Sequence, residues 1–250
     1  MEQTLHQMRQ MRLSYMARSL EERLKNGDHR ELSHEEFVAL LIEDEFSARK
    51  NRKLARMLGR ANFKPNQACI ENIKYSAVRN LKKSDIMPFT SETWITNAQN
   101  LIISGATGTG KTYIAEAIGR RACVMGHQAV KIMYGRLFEE IHAARGTGMY
   151  AKYIDKLDKI KVLILDDFVG GDVTKKDLGD LIDIIEDRDQ KWPLIITSQY
   201  NAGEWHKRFP DPTLADAICD RLVHGSVKFN LEGDSMRKLR DKPGDSPLKS

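Results

Sequence analysis

Apolar residues change their spacing near position 100: before it they recur at helical intervals, and beyond it they gather into short unbroken runs. Leu13, Met16, Leu20 and Leu24 share one helical face, and Asn26-Gly27-Asp28 breaks the pattern, so a first helix is expected to end there. Ser33 and Glu36 stand at capping-box spacing, with Leu32 and Phe37 placed for a hydrophobic staple, which predicts a helix start at Ser33. Phe37, Leu40 and Leu41 give that helix an inward face running toward Arg49, and a further helical stretch around Leu54, Met57 and Leu58 precedes Gly59 and Pro65. Residues 1–66 are thus expected to form a small helical domain with little room for catalysis.

From Asn100 onward the runs Leu101-Ile103, Ala129-Met133, Val162-Asp166, Leu194-Ser198 and Ser226-Asn230 alternate with helical patterns. Five buried strands separated by helices predict an α/β domain over 67–240, a wound and mainly parallel five-stranded sheet, with 67–97 as its lead-in. Sheets of this kind bind ligands at the carboxyl ends of their strands. The last ten residues, 241–250, contain Pro243, Gly244 and Pro247 among charged residues and read as a disordered tail.

A chain of 250 residues, 41% hydrophobic, supports one good core and a smaller second one. Its longest apolar stretches fall far short of a membrane span, and Met1-Glu2-Gln3-Thr4 does not open a secretion signal, so a cytoplasmic protein with no membrane partner is expected. Cys69, Cys123 and Cys219 are odd in number and widely separated, which indicates neither a disulfide frame nor a zinc site. The seven histidines show no metal-binding spacing.

Charge changes the picture more. From Arg49 to Lys83 stand eleven bases and one acid, Glu71, a net charge of +10 in a chain whose total is +5, so the remainder is net −5. A positive field concentrated in this way suits a polyanion and predicts salt-sensitive binding; a solvated helix face is the plainer alternative.

The strongest chemical signal is Gly105-Ala106-Thr107-Gly108-Thr109-Gly110-Lys111-Thr112, a G-x-x-x-x-G-K-T lying between the Leu101-Ile103 run and the helical pattern of Ile114, Ala115 and Ile118. Glycines let successive N–H groups turn toward a phosphate while the following helix presents its positive end. Lys111 would neutralise terminal phosphates, Thr112 would hold Mg²⁺, and contact with nucleotide extends to Tyr113. Downstream, Val162-Leu163-Ile164-Leu165 ends on Asp166 and Asp167. Asp166 would support the metal as a Walker B aspartate, and Asp167 would polarise the attacking water. The run Leu194-Ile195-Ile196-Thr197-Ser198-Gln199 ends on polar groups, and either Ser198 or Gln199 could reach the γ-phosphate if this strand lies between the first and third. Arg221 follows an inward face of Leu214, Ile218 and Leu222 and would project outward. A rigid, permanently charged fork in that place suits an arginine finger for a neighbouring subunit's ATP, although an intrachain salt bridge is the simpler reading of such a residue taken alone.

Together these residues resemble the IstB-like transposition helper ATPases of bacterial insertion sequences, relatives of the DnaC helicase loaders within the AAA+ class. The resemblance runs from about Leu5 to Lys238 and rests on Glu35-Glu36-Phe37, Leu41 to Glu45, Arg49, the phosphate loop, Asp166-Asp167, Thr197-Ser198, Glu204-Trp205, Ala217 to His224 and Gly233-Asp234-Ser235-Met236-Arg237. It implies a P-loop AAA+ fold and an ATP- and Mg²⁺-dependent homo-oligomer that binds duplex DNA, helps select target sites and stimulates a partner transposase. It also implies a sensor 2 role for Arg237, and it places nucleic acid near the helix-Gly-helix segment Leu137–Leu157. The expected DNA contacts are therefore Arg49, Lys50, Arg52, Lys53, Arg56 and Arg60 with Arg136, Arg145 and Lys152. Two positions depart from the family: many relatives have Asp-Glu where this chain has Asp166-Asp167, and commonly Asn where it has Gln199. A DnaC-like helicase loader is the alternative reading, and a small-molecule P-loop kinase a third that gives Arg221 no role. The absence of an Asn-Lys-x-Asp motif favours ATP over GTP.

Overall fold

The computed structural model describes residues 1–27, 30, 32–65 and 68–236. The expected tail at 241–250 and Arg237 lie outside the described residues. The chain forms two compact units, Met1–Arg56 and one beginning at Met57, so the division falls earlier than the expected boundary at 66. The reason is local hydrogen bonding. The Lys131 N–H donates to the Ala61 carbonyl at 2.9 Å, and the Lys64 N–H donates to Glu116 Oε1 at 3.2 Å, which joins 57–65 to the second unit.

The first unit holds α1 (Glu2–Gln10), α2 (Ser14–Asn26) and the greater part of α3 (His34–Arg60). Helix α1 was not anticipated; its Leu5 and Met8 pack with Ala17, Leu13, Met16 and Leu20, and the chain turns at Arg12, whose φ is +62°. Gly27 ends α2 in the left-handed region. The capping box expected at Ser33 is present in both directions: Glu36 N–H donates to Ser33 Oγ at 3.2 Å, and Ser33 N–H donates to Glu36 Oε2 at 2.8 Å. Helix α3 runs unbroken for 27 residues where the sequence pattern suggested two stretches, because no glycine or proline interrupts it before Gly59. Midway along it the buried Glu45 accepts from the N–H groups of Tyr15 and Met16, at 2.8 and 2.9 Å, and so satisfies the first turn of α2 from outside that helix.

The second unit is a parallel sheet of β1 (Leu101–Gly105), β2 (Ala129–Met133), β3 (Val162–Asp166), β4 (Leu194–Ser198) and β5 (Val227–Leu231) in the order β2-β3-β4-β1-β5. β4 therefore lies between β3 and β1, which brings the carboxyl ends of all three together. Two short helices, α4 (Lys83–Ile86) and α5 (Thr93–Thr96), precede β1. Phe89 and Trp94 meet edge to face there at 5.3 Å, and Phe89 reaches Phe229 of β5 at 5.9 Å. Helix α6 (Lys111–Val124) covers one face, with Gly119 close against Ile164 of β3. The opposite face carries Ile102, Leu163, Leu165, Leu194 and Ile196 in one core with α7 (Tyr134–Gly146), α8 (Tyr150–Asp158), α9 (Lys175–Arg188), α10 (Ala202–Trp205) and α11 (Pro212–Val223). The alternation of side chains along each strand makes the two faces. Thr174 with Asp177 and Asp211 with Pro212 set the starts of α9 and α11. Below the sheet Arg188 is buried and donates to the carbonyls of Leu157, Lys161 and Pro193; burial pulls its pKa down to about 10.

Burial alone would raise the pKa of Glu45, but hydrogen bonds from Arg49, Met16 and Tyr15 together hold it below the usual carboxylate range. A depressed folded-state value means that its stabilisation is complete above the unfolded-state pKa and disappears as pH falls through the folded one. We predict that Glu45→Gln costs about 2 kcal/mol and speeds hydrogen exchange of the α2 amides about thirtyfold at neutral pH. The difference from wild type should vanish in acid, and a difference that persists at the lowest pH would refute this account.

Candidate nucleotide-binding site

Between β1 and α6 the chain makes a tight arch. Gly108 has φ +89°, and a Cβ there would stand 2.2 Å from Ser235 Oγ, so only glycine lets the segment after β5 lie on the loop. The Met236 N–H donates to the Gly108 carbonyl at 2.9 Å, and Thr109 Oγ1 donates to the Ala106 carbonyl at 2.9 Å. Lys111, the first residue of α6, is buried, and its Nζ donates to the carbonyls of Gly105 and Ala106 at 2.7 and 2.9 Å. Its ammonium is thereby folded over the arch, beside the positive end of α6 and the N–H groups of its first turn. Cationic and N–H donors converging in this way form an anion cradle.

The expected partners of this loop come from β3 and β4. Thr112 Oγ1 donates to Asp166 Oδ1 at 2.8 Å, and Thr197 Oγ1 of β4 donates to the same oxygen. A hydroxyl and a carboxylate side by side are hard oxygen donors of the kind Mg²⁺ takes, with phosphates and water completing its shell. Among the described residues no three His, Cys, Asp or Glu gather as a metal cage. Past Asp166 the backbone turns sharply: Asp167 and Val169 have φ +58° and +61°, and the Asp167 N–H donates to Thr197 Oγ1 at 3.1 Å. Phe168 plunges into the core against Tyr134 and Trp205, while the Asp167 carboxylate turns back toward the loop. Gly170 makes room for it, since a Cβ there would stand 2.6 Å from the Asp167 carboxyl carbon. Left-handed backbone at a β-branched residue is strained, and strain of this kind marks turns that serve a site.

Ser198 requires a correction. Its side chain is fully buried on the far face of β4, donating to the Phe168 carbonyl at 3.0 Å and accepting from Tyr200 N–H and Trp205 Nε1. Strand alternation explains this, because Thr197 and Gln199 share the face toward the loop and Ser198 takes the other. Gln199 is the group that faces the loop: its Nε2 donates to Asp167 Oδ1 at 3.2 Å, and its Oε1 accepts from Thr107 Oγ1 at 3.1 Å. The two departures from the family pattern therefore touch each other. Thr197 was missed: β4 is buried along its whole length, so polarity gives no sign of which face each residue takes.

A second missed residue is Arg79, counted in the sequence only as part of the positive field. It is partly buried on the loop, donating to the Thr109 carbonyl at 2.7 Å and to the Lys74 carbonyl, with no carboxylate partner among the described residues. Burial lowers its pKa, the expected response of a cation without a compensating anion. Arg79, Ile73, Tyr113, Glu116 and Met236 help to enclose a cavity of about 320 Å³ that opens from the loop beside α6.

These features match the family model for IstB-like ATP-binding proteins over residues 6–243. The chain belongs to the IstB-like ATP-binding protein family. It is 38% identical over 235 residues to an insertion sequence ATP-binding protein of Sinorhizobium fredii, covering 94% of this chain and 96% of that one. A counterpart from Mycobacterium tuberculosis is 31% identical over 238 residues, covering 95% and 94%. Among solved structures, the DnaC helicase loader superposes with TM-score 0.58 at 18% identity, covering 67% of this chain and 98% of its own. The replication initiator DnaA bound to AMPPCP and single-stranded DNA gives 0.58 at 16% identity over 69% of this chain, which spans about half (52%) of that protein. At these identities the likeness is one of fold, the P-loop AAA+ fold expected from the sequence.

In this IstB-like chain Arg221 lies away from the cradle. It shares a recess with Ala98 and Asn100, ahead of β1, whereas Lys111 follows β1. The five residues of β1 separate the two by about 15 Å. Arg221 Nη2 donates to Glu186 Oε1 at 2.5 Å, the intrachain pair that was the simpler reading, and about a third of its side chain is exposed. The expected nucleic-acid contacts are also mixed. In the first unit Arg49 is engaged by Glu45 and the Arg12 carbonyl, and Arg52 lies over the Tyr15 ring at 4.9 Å, while Lys50, Lys53 and Arg56 are exposed. In the second unit Arg60 and Lys152 are exposed, Arg136 pairs with Glu140 at 3.0 Å, and Arg145 is tied to Asp180 and stacked on Tyr150 at 4.2 Å. No helix among the described residues is long and apolar enough to cross a membrane.

Placing the Arg79 guanidinium on the loop carries a direct consequence. We predict that Arg79→Ala weakens ATP binding about tenfold, the loss expected for one contact with a charged group, and that Arg79→Lys recovers part of it. Unchanged affinity by calorimetry would make Arg79 a backbone clamp only.

Proposed function

We propose that this chain is a Mg²⁺-dependent ATPase that assembles on duplex DNA in its ATP-bound form, helps select target sites and stimulates the transposase of its own mobile element. The observation that carries the reading is the separation of two cationic groups. Lys111 stands at the carboxyl edge of the sheet, while Arg221 stands at the amino edge, too distant to serve its own loop. A neighbour's loop is a natural target for it, and ATP then adds interface energy that ADP does not. In this reading the Glu186 pair is a resting contact that Arg221 exchanges for a γ-phosphate.

Within one protomer, Lys111 and the α6 N–H groups bind the phosphates. Thr112 and Asp166 would hold Mg²⁺, which when bound supplies positive charge to the phosphate oxygens. Asp167, held by Gln199, accepts the proton of the attacking water and orients it toward the γ-phosphorus. The basic residues exposed on α3 and around α7 and α8 support contact with the sugar-phosphate backbone. The insertion-sequence relatives support a mobile-element setting, and hence a transposase partner.

Asp167→Asn should lower turnover about a hundredfold with ATP affinity unchanged, and Gln199→Ala about tenfold. The double variant should equal Asp167→Asn alone, because the two side chains act as one unit; additive losses would separate them. For assembly, Lys111→Ala should abolish both nucleotide binding and ATP-driven oligomers on duplex DNA in sedimentation. Arg221→Ala should bind ATP normally and fail to assemble. Wild-type assembly by Arg221→Ala would overturn the shared-site reading, and preference for single-stranded DNA with capture of a helicase would replace transposition by helicase loading.

A further inference from the structure

Glu116 sits on α6 one turn beyond Thr112, lines the cavity that opens from the phosphate loop, and is 1% exposed. Its two carboxylate oxygens have different surroundings. Oε1 accepts from Lys131 Nζ at 2.6 Å and from the Lys64 N–H at 3.2 Å. Oε2 is buried with no hydrogen-bond donor among the described residues. Leaving a buried charged acceptor without a donor is costly, and such a group is explained when a ligand supplies the missing one. Lys131 does not remove the need: its ammonium bonds Oε1, and no donor among the described residues stands within hydrogen-bond distance of Oε2.

The place of Glu116 says what kind of donor is missing. The cradle occupies one end of the cavity, at the start of α6, and Glu116 lies about 7.5 Å further along that helix. Around it are Ile73, buried and apolar, the ring of Tyr113, and Met236. The exposed Lys64, Asn72 and Lys74 also line the cavity, and apolar and aromatic walls beside a buried polar group suit a flat heterocycle tethered to the phosphates. Adenine carries an exocyclic amine at position 6, a donor. Guanine carries an oxygen at that position, which would oppose lone pair to lone pair.

We propose that Glu116 is a specificity-determining residue whose Oε2 accepts a hydrogen bond from the 6-amino group of a bound adenine nucleotide, selecting ATP over GTP. The inference rests on the reading of the loop as a nucleotide site and deepens it. Lys131 and the Lys64 N–H act through Glu116 as positioning groups, fixing which oxygen faces the base. A site built to hydrogen-bond a substrate group rejects an analogue lacking it, since the buried acceptor is then left unsatisfied.

The test compares four triphosphates on the full-length wild-type chain by competition against a fluorescent ADP: ATP, GTP, the purine nucleotide lacking the 6-amino group, and 2′-deoxy-ATP. ATP should bind at least about tenfold tighter than GTP and than the 6-unsubstituted purine nucleotide, and 2′-deoxy-ATP should bind like ATP. In Glu116→Gln the amide oxygen can keep the Lys131 and Lys64 contacts while an N–H₂ donor replaces Oε2. That variant should lose affinity for ATP, gain it for GTP and bring their ratio to unity or below. A 6-unsubstituted purine nucleotide that binds as tightly as ATP overturns the proposal even if Glu116→Gln does not fold. So does an equal loss for all four ligands in a folded Glu116→Gln, or sensitivity to the 2′-hydroxyl alone, which would put the carboxylate on the sugar. If no triphosphate competes, the nucleotide-site reading itself falls, an outcome distinct from binding without base discrimination.

Discussion

One carboxylate oxygen organises the catalytic edge of the second unit. Asp166 Oδ1 accepts from Thr112 at the start of α6 and from Thr197 in β4, so the end of β3, the helix after β1 and the central strand meet at a single buried atom. The strand order makes this meeting possible, since β4 lies between β3 and β1 and all three run the same way. A buried carboxylate accepting two hydroxyls is satisfied without a cation, and it stays in place for one. Thr197 also receives the Asp167 N–H, so the turn that aims the neighbouring carboxylate is fixed by the same contact.

That turn shows how the core and the chemistry are linked. Asp167 and Phe168 are consecutive and leave the strand in opposite senses. Phe168 is fully buried among Tyr134, Trp205 and Phe209, and its N–H donates to the Thr197 carbonyl at 2.8 Å. Packing of that ring and the left-handed backbone on either side of it leave the Asp167 carboxylate little freedom. Gln199 then bridges it to Thr107 in the loop, so a shift of the loop moves the carboxylate too. An aspartate is one methylene shorter than glutamate and glutamine one longer than asparagine. The longer amide of Gln199 is what spans the gap between Asp167 and Thr107.

Much of this was legible in the sequence, and the failures have physical causes. The phosphate loop, the strand ending in two aspartates and the five apolar runs were readable because buried parallel strands are continuous hydrophobic segments. That same continuity hid the facing of β4: every residue from Leu194 to Ser198 is buried, so no alternation in polarity separated Thr197 from Ser198. Arg79 was hidden for a different reason. Its neighbours in sequence are solvated bases, and only the fold lays its segment on the loop, where Asn80 Nδ2 reaches the Asn230 carbonyl and the Glu232 N–H reaches the Arg79 carbonyl. Glu116 carries no signal in the sequence, because its partner Lys131 lies on a different strand and only the fold brings the two together.

The loop is thus clasped by two segments far apart in sequence, the one around Arg79 and the one from Glu232 to Met236. The Glu232–Met236 segment reaches it through the Met236 N–H and the other through the Arg79 guanidinium, so the first contact depends on the shape of the arch and the second on side-chain identity. A ligand that draws Lys111 away from the carbonyls of Gly105 and Ala106 frees two acceptors of that arch and loads it with negative charge. Arg79 lies near enough to answer that charge, and its segment is bonded to β5 and the residues after it, through Asn80 with Asn230 and the Arg79 carbonyl with Glu232. β5 pairs with β1 at the edge of the sheet and follows α11, which carries Arg221, so the segment bonded to the loop and the helix bearing Arg221 are joined through one strand.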